Sequence, residues 1–216
     1  MKTFGSYVKR VRALGWPFLL TGLAFVLGIV ALAQPIWMYD QTVAGGDVDR
    51  WTYGWSVVTH EQWQNGAWSG TTVTPYTSPS FADFRVRDAV GTSYGVASAY
   101  VASLFVLGLL QFLARPRKIP QTVMLIVTLA SLALGITAVL YPAVAIGSAA
   151  NLDLDTAISG FVGSAAVNGP GSNDYTLTWG AAAGWWLWMA ATLLTGVVFA
   201  VPLLQRKPWA RASPAH

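Results

Sequence analysis

Trp37-Met-Tyr-Asp40, Arg50-Trp-Thr-Tyr-Gly-Trp-Ser-Val-Val-Thr59, Asn65-Gly66 and Phe84-Arg-Val-Arg-Asp88 mark out one polar, aromatic stretch. The rest of the chain is mostly long apolar runs. Within this stretch Trp51, Tyr53, Trp55 and Val57 fall on one face of an alternating strand, and Thr52, Gly54, Ser56 and Val58 on the other. Asn65-Gly66 suits the positive φ angles of a type I′ hairpin turn. The threonine-rich return, Trp68 to Tyr76, suits a second strand. Pro75 and Pro79 end it, and Phe81 to Asp88 leads into the next apolar run.

Working outward, four apolar runs lie at about 14–36, 92–114, 119–146 and 179–204. About 20 residues at 1.5 Å rise cross a hydrocarbon core of about 30 Å. With 54% hydrophobic and 10% charged residues in 216, and a mean hydropathy of +0.49, the chain departs from soluble globular composition. The fold class expected is an α-helical integral membrane protein. It is a four-transmembrane-helix bundle, read as a single membrane domain over 1–216, with a small extracytoplasmic antiparallel β-sheet from the first outer loop. Ala31-Leu-Ala33 also has the small-x-small form of a cleavage site, so removal of the first run stays open.

Charge sets the orientation. Lys2, Lys9, Arg10, Arg12, Arg115, Arg117, Lys118, Arg206, Lys207 and Arg211 cluster at the two termini and in the middle hairpin. The connecting loops, about 37–91 and 147–178, hold Arg50, Arg85, Arg87 and all nine acids. Basic residues stay on the cytoplasmic side, which puts both termini inside, both loops outside and the chain in the cell membrane. The second loop is expected to be irregular, with a short helix near Leu154–Val162 and an edge strand at Tyr175-Thr-Leu-Thr-Trp179.

A Trp at the exit of the first helix (Trp37), a Gly-Trp in the loop (Gly54-Trp55) and an Arg before the second helix (Arg85 or Arg87) resemble marks of the claudin and peripheral myelin protein family. The family's Gly-Leu-Trp lacks its Leu here, and its two loop cysteines are missing, since the chain has no cysteine at all. The resemblance implies a four- or five-stranded outer sheet on a four-helix bundle. It also implies non-catalytic work in adhesion, barriers or escorting a larger membrane protein. Trp55 would then be buried at the base of the sheet, against Trp37 or the helix tops, and Arg85 would cap the second helix.

Catalytic chemistry finds little support. The apolar runs carry no Asp, Glu, Lys, Arg or His, whereas membrane pumps and metal sites keep ionisable groups there for function. His60-Glu61 is the one pair suggestive of a metal; Asp47, Asp49 or Asp83 would have to join it. Asn151, Asp153 and Asp155 have calcium-type oxygens, but acids favouring a helix N-terminus explain them better. No serine-hydrolase elbow or phosphate loop is present. The expectation is therefore no enzyme, no cofactor, no metal and no nucleic-acid partner.

Helix pairing rises above background. Gly91, Gly95, Ala99 and Ser103 recur every four residues, a face that admits close helix approach; Ser131/Gly135 and Gly180/Gly184 are shorter versions. Closing the bundle is the expected use, and oligomerisation the alternative. Two functions follow. One is a structural or interaction protein that presents its sheet (Trp37, Trp51, Tyr53, Gly54, Trp55) to partner proteins or to itself. The other is a cofactor-free accessory subunit of a larger membrane enzyme or energy-conversion complex. Membrane lipid is a partner in both.

Overall fold

The computed structural model describes residues 15–43, 45–117, 119–168 and 174–204, with side chains left out at 114–117 and 201–204. Among these residues are four helices: α1 (Trp16–Leu32), α2 (Arg85–Arg117), α3 (Gln121–Asp153) and α4 (Ala183–Leu204). Six strands join them: β1 (Trp37–Val43), β2 (Val48–Tyr53), β3 (Val57–Gln64), β4 (Ala67–Pro75), β5 (Gly163–Val167) and β6 (Tyr175–Ala181). Three helices, α2, α3 and α4, are long and apolar enough to cross a membrane. At 17 residues α1 spans about 26 Å, just short of a full hydrocarbon core.

Each helix packs on two neighbours, in the cyclic order α1, α2, α3, α4. Pro17, in the first turn, starts α1 with its missing N–H where no intrahelical partner exists. Pro35 then keeps the chain extended into β1. α2 begins seven residues before the expected position 92. Asp153 Oδ2, at the end of α3, accepts the Val86 N–H at 2.8 Å. That carboxylate satisfies an orphan donor and complements the helix dipole, so the first turn forms. It is indeed an acid at a helix N-terminus, but the helix lies 67 residues away.

α3 runs through Pro142 and ends at Asp153, seven residues beyond the expected 146. Proline removes a hydrogen bond and opens the preceding turn. One carbonyl beyond the Ala138 O that Pro142 leaves unpaired, the Trp185 indole N–H donates to Val139 O at 2.9 Å. Gly147 lets the backbone of Gly160 fold onto α3, since a Cβ would lie 2.3 Å from a Gly160 backbone atom.

All six strands form one antiparallel sheet, ordered β4-β3-β2-β1-β6-β5. Three expectations are corrected. The sheet does not come from the first loop alone, because β5 and β6 lie in the second. β6 is not an edge strand, since it pairs with β1 and β5. No helix forms at 154–162, which crosses in turns from α3 to β5. Gly163-Ser-Ala-Ala-Val167 has weak strand propensity, and pairing with β6 overrides it. The Asn65-Gly66 turn is as read, with φ of 51° and 76°.

Two neighbouring interior strands, β1 and β6, continue two adjacent helices. Trp37 at the start of β1 lies opposite Ala181 at the end of β6, so the α1–α4 contact passes directly into the β1–β6 pair. Apolar burial runs without a break from Ala24 and Ala31 in α1, through Trp188 in α4, to Trp37 and Trp179 in the sheet.

Candidate functional site

The two faces of the sheet differ in kind. On the inner face register places Trp37 opposite Tyr53, Tyr39 opposite Trp51, and Trp51 opposite His60. Tyr39 and Trp51 stack at 4.5 Å and 11°, and Trp51 and His60 at 4.3 Å and 3°. Trp37 and Tyr53 tilt together at 5.3 Å. Trp37 is fully buried, and its indole N–H donates to Phe161 O at 2.9 Å. The crossing segment 154–162 thus lies over this face. Asp155 holds the segment by accepting the Ala157 N–H and the Tyr175 hydroxyl, and Asn151 by donating to Thr156 O and Ile158 O. Burial pushes the Tyr39, Tyr53 and Tyr76 hydroxyls above their ordinary range, so these groups stay neutral throughout the physiological range.

His60 is tied into the same face. Its Nε2 lies 2.9 Å from Asp49 Oδ1, and the same oxygen accepts from Gln62. Asp49 therefore does join His60. Asp47 instead accepts the Asn65 N–H, bracing the hairpin turn. Among the described residues no three His, Cys, Asp or Glu converge as metal ligands. Asn151, Asp153 and Asp155 are each occupied by the structural hydrogen bonds given above.

The outer face carries Asp40, Arg50, Glu61 and Trp63 in neighbouring registers. Arg50 makes a two-pronged pair with Asp40 at 2.8 and 2.7 Å and lies 5.3 Å from the Trp63 ring. Around them are Thr42, Thr71, Thr176 and Thr178, all exposed. Trp68 opposes Trp63 across the β3–β4 hairpin and is 63% exposed; Val73, on the same edge strand, is 57% exposed. Sequence reading passed over Trp63, Trp68 and Val73. Their signal was the hairpin itself, because residues flanking an Asn-Gly turn face one another.

Trp55 is the main correction among the expected site residues. It is 53% exposed, not buried at the base, and touches Tyr94 at 5.3 Å. The alternation that began at Trp51 stops at Tyr53. Gly54-Trp55-Ser56 form the β2–β3 turn, closed by Gly54 N–H to Val57 O at 3.0 Å, and a turn cannot hold a side chain on the inner face. Arg85 is the exposed first residue of α2, and it is Arg87 that bonds Asp88, at 2.9 Å. We therefore expect Trp55→Ala to cost about 1 kcal/mol, the scale of one aromatic pair. Arg85→Ala should cost less. Protease resistance of residues 38–84, compared with the parent, checks both.

The small-residue faces separate. Gly91 and Gly95 meet nothing within 4 Å of an added Cβ; they and Ala99 are exposed, and Ser103 is half-buried. Closing the bundle falls to Gly135 and Gly184 of the two shorter pairs and to Gly28, while Gly180 lies in β6. Gly28 faces Val101, Gly135 faces Thr192 and Tyr100, and Gly184 faces the backbone carbonyls of Ala31, Gln34 and Pro35.

No protein-family model matches the chain, and no curated protein matches it. What the geometry defines is an apolar helical bundle carrying a sheet whose inner face is filled and whose outer hairpin is not.

Proposed function

We propose that this chain is a claudin-like, non-catalytic protein of the cell membrane. All four helices span, both termini lie in the cytoplasm, and the sheet stands outside to engage a partner protein. One observation carries the reading. The sheet's inner aromatics are consumed in packing, while Trp68 and Val73 remain exposed on its edge hairpin. An exposed tryptophan such as Trp68 is among the residue types that dominate protein interfaces. The distribution of basic residues supports the orientation. Because α1 packs between α2 and α4, it spans with them despite its length.

The test has two arms. A cysteine at Ser69, exposed on β4, should react with an impermeant thiol reagent in intact cells, and one at Ala114 should not. Ser172, the matching site in the second loop, lies outside the described residues. Labelling at Ala114 alone overturns the orientation. In parallel, Trp68→Ser with Val73→Ser should lose a partner recovered with the parent in mild detergent, with unchanged thermal stability. Retention of every partner overturns the interface.

The second reading, an accessory subunit of a larger membrane complex, is favoured by the unfilled Gly91/Gly95/Ala99 face of α2, which leaves room for a helix from another chain. A stoichiometric complex absorbing visible light would support it.

A further inference from the structure

Between α1 and α2, in the half of the bundle away from the sheet, lies an open groove of about 260 Å³. Phe18, Gly22 and Phe25 line one wall; Phe105, Gly108 and Phe112 line the other. Phe25 and Phe105 meet at 5.9 Å and close the end nearer the sheet. From there to Phe18 and Phe112 is two helical turns, about 10 Å. The floor exists because two glycines stand where side chains would fill it. A Cβ on Gly22 meets nothing within 4 Å, and one on Gly108 meets only Thr21 Cγ2 at 3.8 Å. Gln111 Nε2 donates to Thr21 Oγ1 at 3.1 Å and ties the two helices together beneath the opening.

Basic residues adjoin this groove at one end. Arg115 and Arg117 occupy the last turn of α2, just beyond Phe112. In sequence Lys9, Arg10 and Arg12 precede α1, whose second residue is Pro17 and third Phe18. The slot thus ends within about one turn of the basic close of α2, and the sequence ahead of α1 is basic too. An elongated apolar body attached to a negative head matches that layout.

We propose that the groove binds one anionic phospholipid, with an acyl chain between the phenylalanines and the phosphate at the basic cytoplasmic end. This rests on the membrane placement proposed above and names a ligand for it. Acyl burial supplies affinity, and the basic residues select anionic over zwitterionic heads, since each basic residue near a membrane surface adds to attraction for negative lipid.

The experiment starts with carbonate-washed membranes. Chain retained in the pellet is purified in detergent and mixed with phosphatidylglycerol or phosphatidylcholine of identical acyl chains. Bound lipid is then counted by native mass spectrometry. The parent should retain one phosphatidylglycerol, preferred over phosphatidylcholine by roughly tenfold or more. Gly22→Leu fills the slot, improves helix propensity and should lose both lipids while keeping the parent's melting temperature. Arg115→Gln with Arg117→Gln should keep acyl binding and lose the preference. Full phosphatidylglycerol retention by Gly22→Leu overturns the proposal, as does a parent without head-group preference. A dimer mass that Gly22→Leu abolishes would assign the groove to a second copy and overturn it too. Chain released by carbonate overturns the membrane reading as well; retained chain that binds no lipid overturns this proposal alone.

Discussion

Trp37→Ala should be the most damaging single truncation in the sheet, costing about 3–5 kcal/mol, the range for removing a large buried aromatic. Trp37 is fully buried where the α1–α4 contact becomes the β1–β6 pair. Its ring meets Tyr39 at 5.9 Å and Tyr53 at 5.3 Å, so the cavity would open beneath two of the stacked aromatics. Its indole also supplies the hydrogen bond that Phe161 O receives, and leaving such a carbonyl unpaired costs about 1–3 kcal/mol. Trp37→Phe keeps most of the burial and isolates that smaller loss. The measurement is limited proteolysis with thermal unfolding in detergent. Trp37→Ala should release fragments from 38–84 and from 154–168 together, because the indole packs beneath the first segment and bonds Phe161 in the second. Cleavage confined to the first segment would show that Phe161 is held by other contacts, such as its ring against Trp185 at 5.5 Å.

Trp37 was legible as the residue at the first helix's exit, though not as buried, and Trp55 was legible in neither respect. An aromatic at a helix exit, followed by alternating residues, has its direction fixed by two neighbouring elements. Trp55 sits two residues past the end of β2, where period-2 alternation predicts nothing once the chain turns. The turn left no signal of its own kind, because Gly54-Trp55-Ser56 has a single glycine and no Asn-Gly or Asp-Gly step. The Asn65-Gly66 turn had that step and was read correctly. The four helices were legible from apolar length, but their outer ends were not. α2 and α3 gain their extra turns from the Asp153 carboxylate on the Val86 N–H and from packing under the sheet, which are tertiary contacts. β5 was invisible for the same reason, since Gly-Ser-Ala-Ala-Val becomes a strand only beside β6. Of the candidate interface, the sequence showed the hairpin. It did not show that the residues quoted for function, Trp37, Trp51 and Tyr53, point inward, and that Trp63 and Trp68 point out.

Gly184→Leu should break the helix-to-sheet junction, and Gly95→Leu should leave the isolated chain intact, although the sequence presents both as members of small-residue repeats. At Gly184 a Cβ would stand 2.8 Å from Pro35 O, 2.9 Å from Gln34 O and 3.0 Å from Ala31 O. All three obstacles are backbone, so no rotamer change relieves them. The Gly184 N–H also donates to Pro35 O at 2.8 Å, and Tyr94 OH donates to Gln34 O, so the carbonyls that would have to move are already committed. Overpacking a closed contact costs about 1–3 kcal/mol when side chains can adjust, and here the cost should reach the upper end or exceed it. Even Gly184→Ala brings its methyl into the same carbonyls and should lower the melting temperature. At Gly95, nothing lies within 4 Å of the added carbon, and replacing a helix-interior glycine favours the helix by up to about 1 kcal/mol. Melting in detergent should therefore fall for Gly184→Leu and hold or rise for Gly95→Leu. A fall for Gly95→Leu in the purified monomer would mean that α2 packs within the chain differently from the arrangement described. A loss confined to an assembly, with the monomer unaffected, would place a neighbouring chain's helix against Gly91, Gly95 and Ala99.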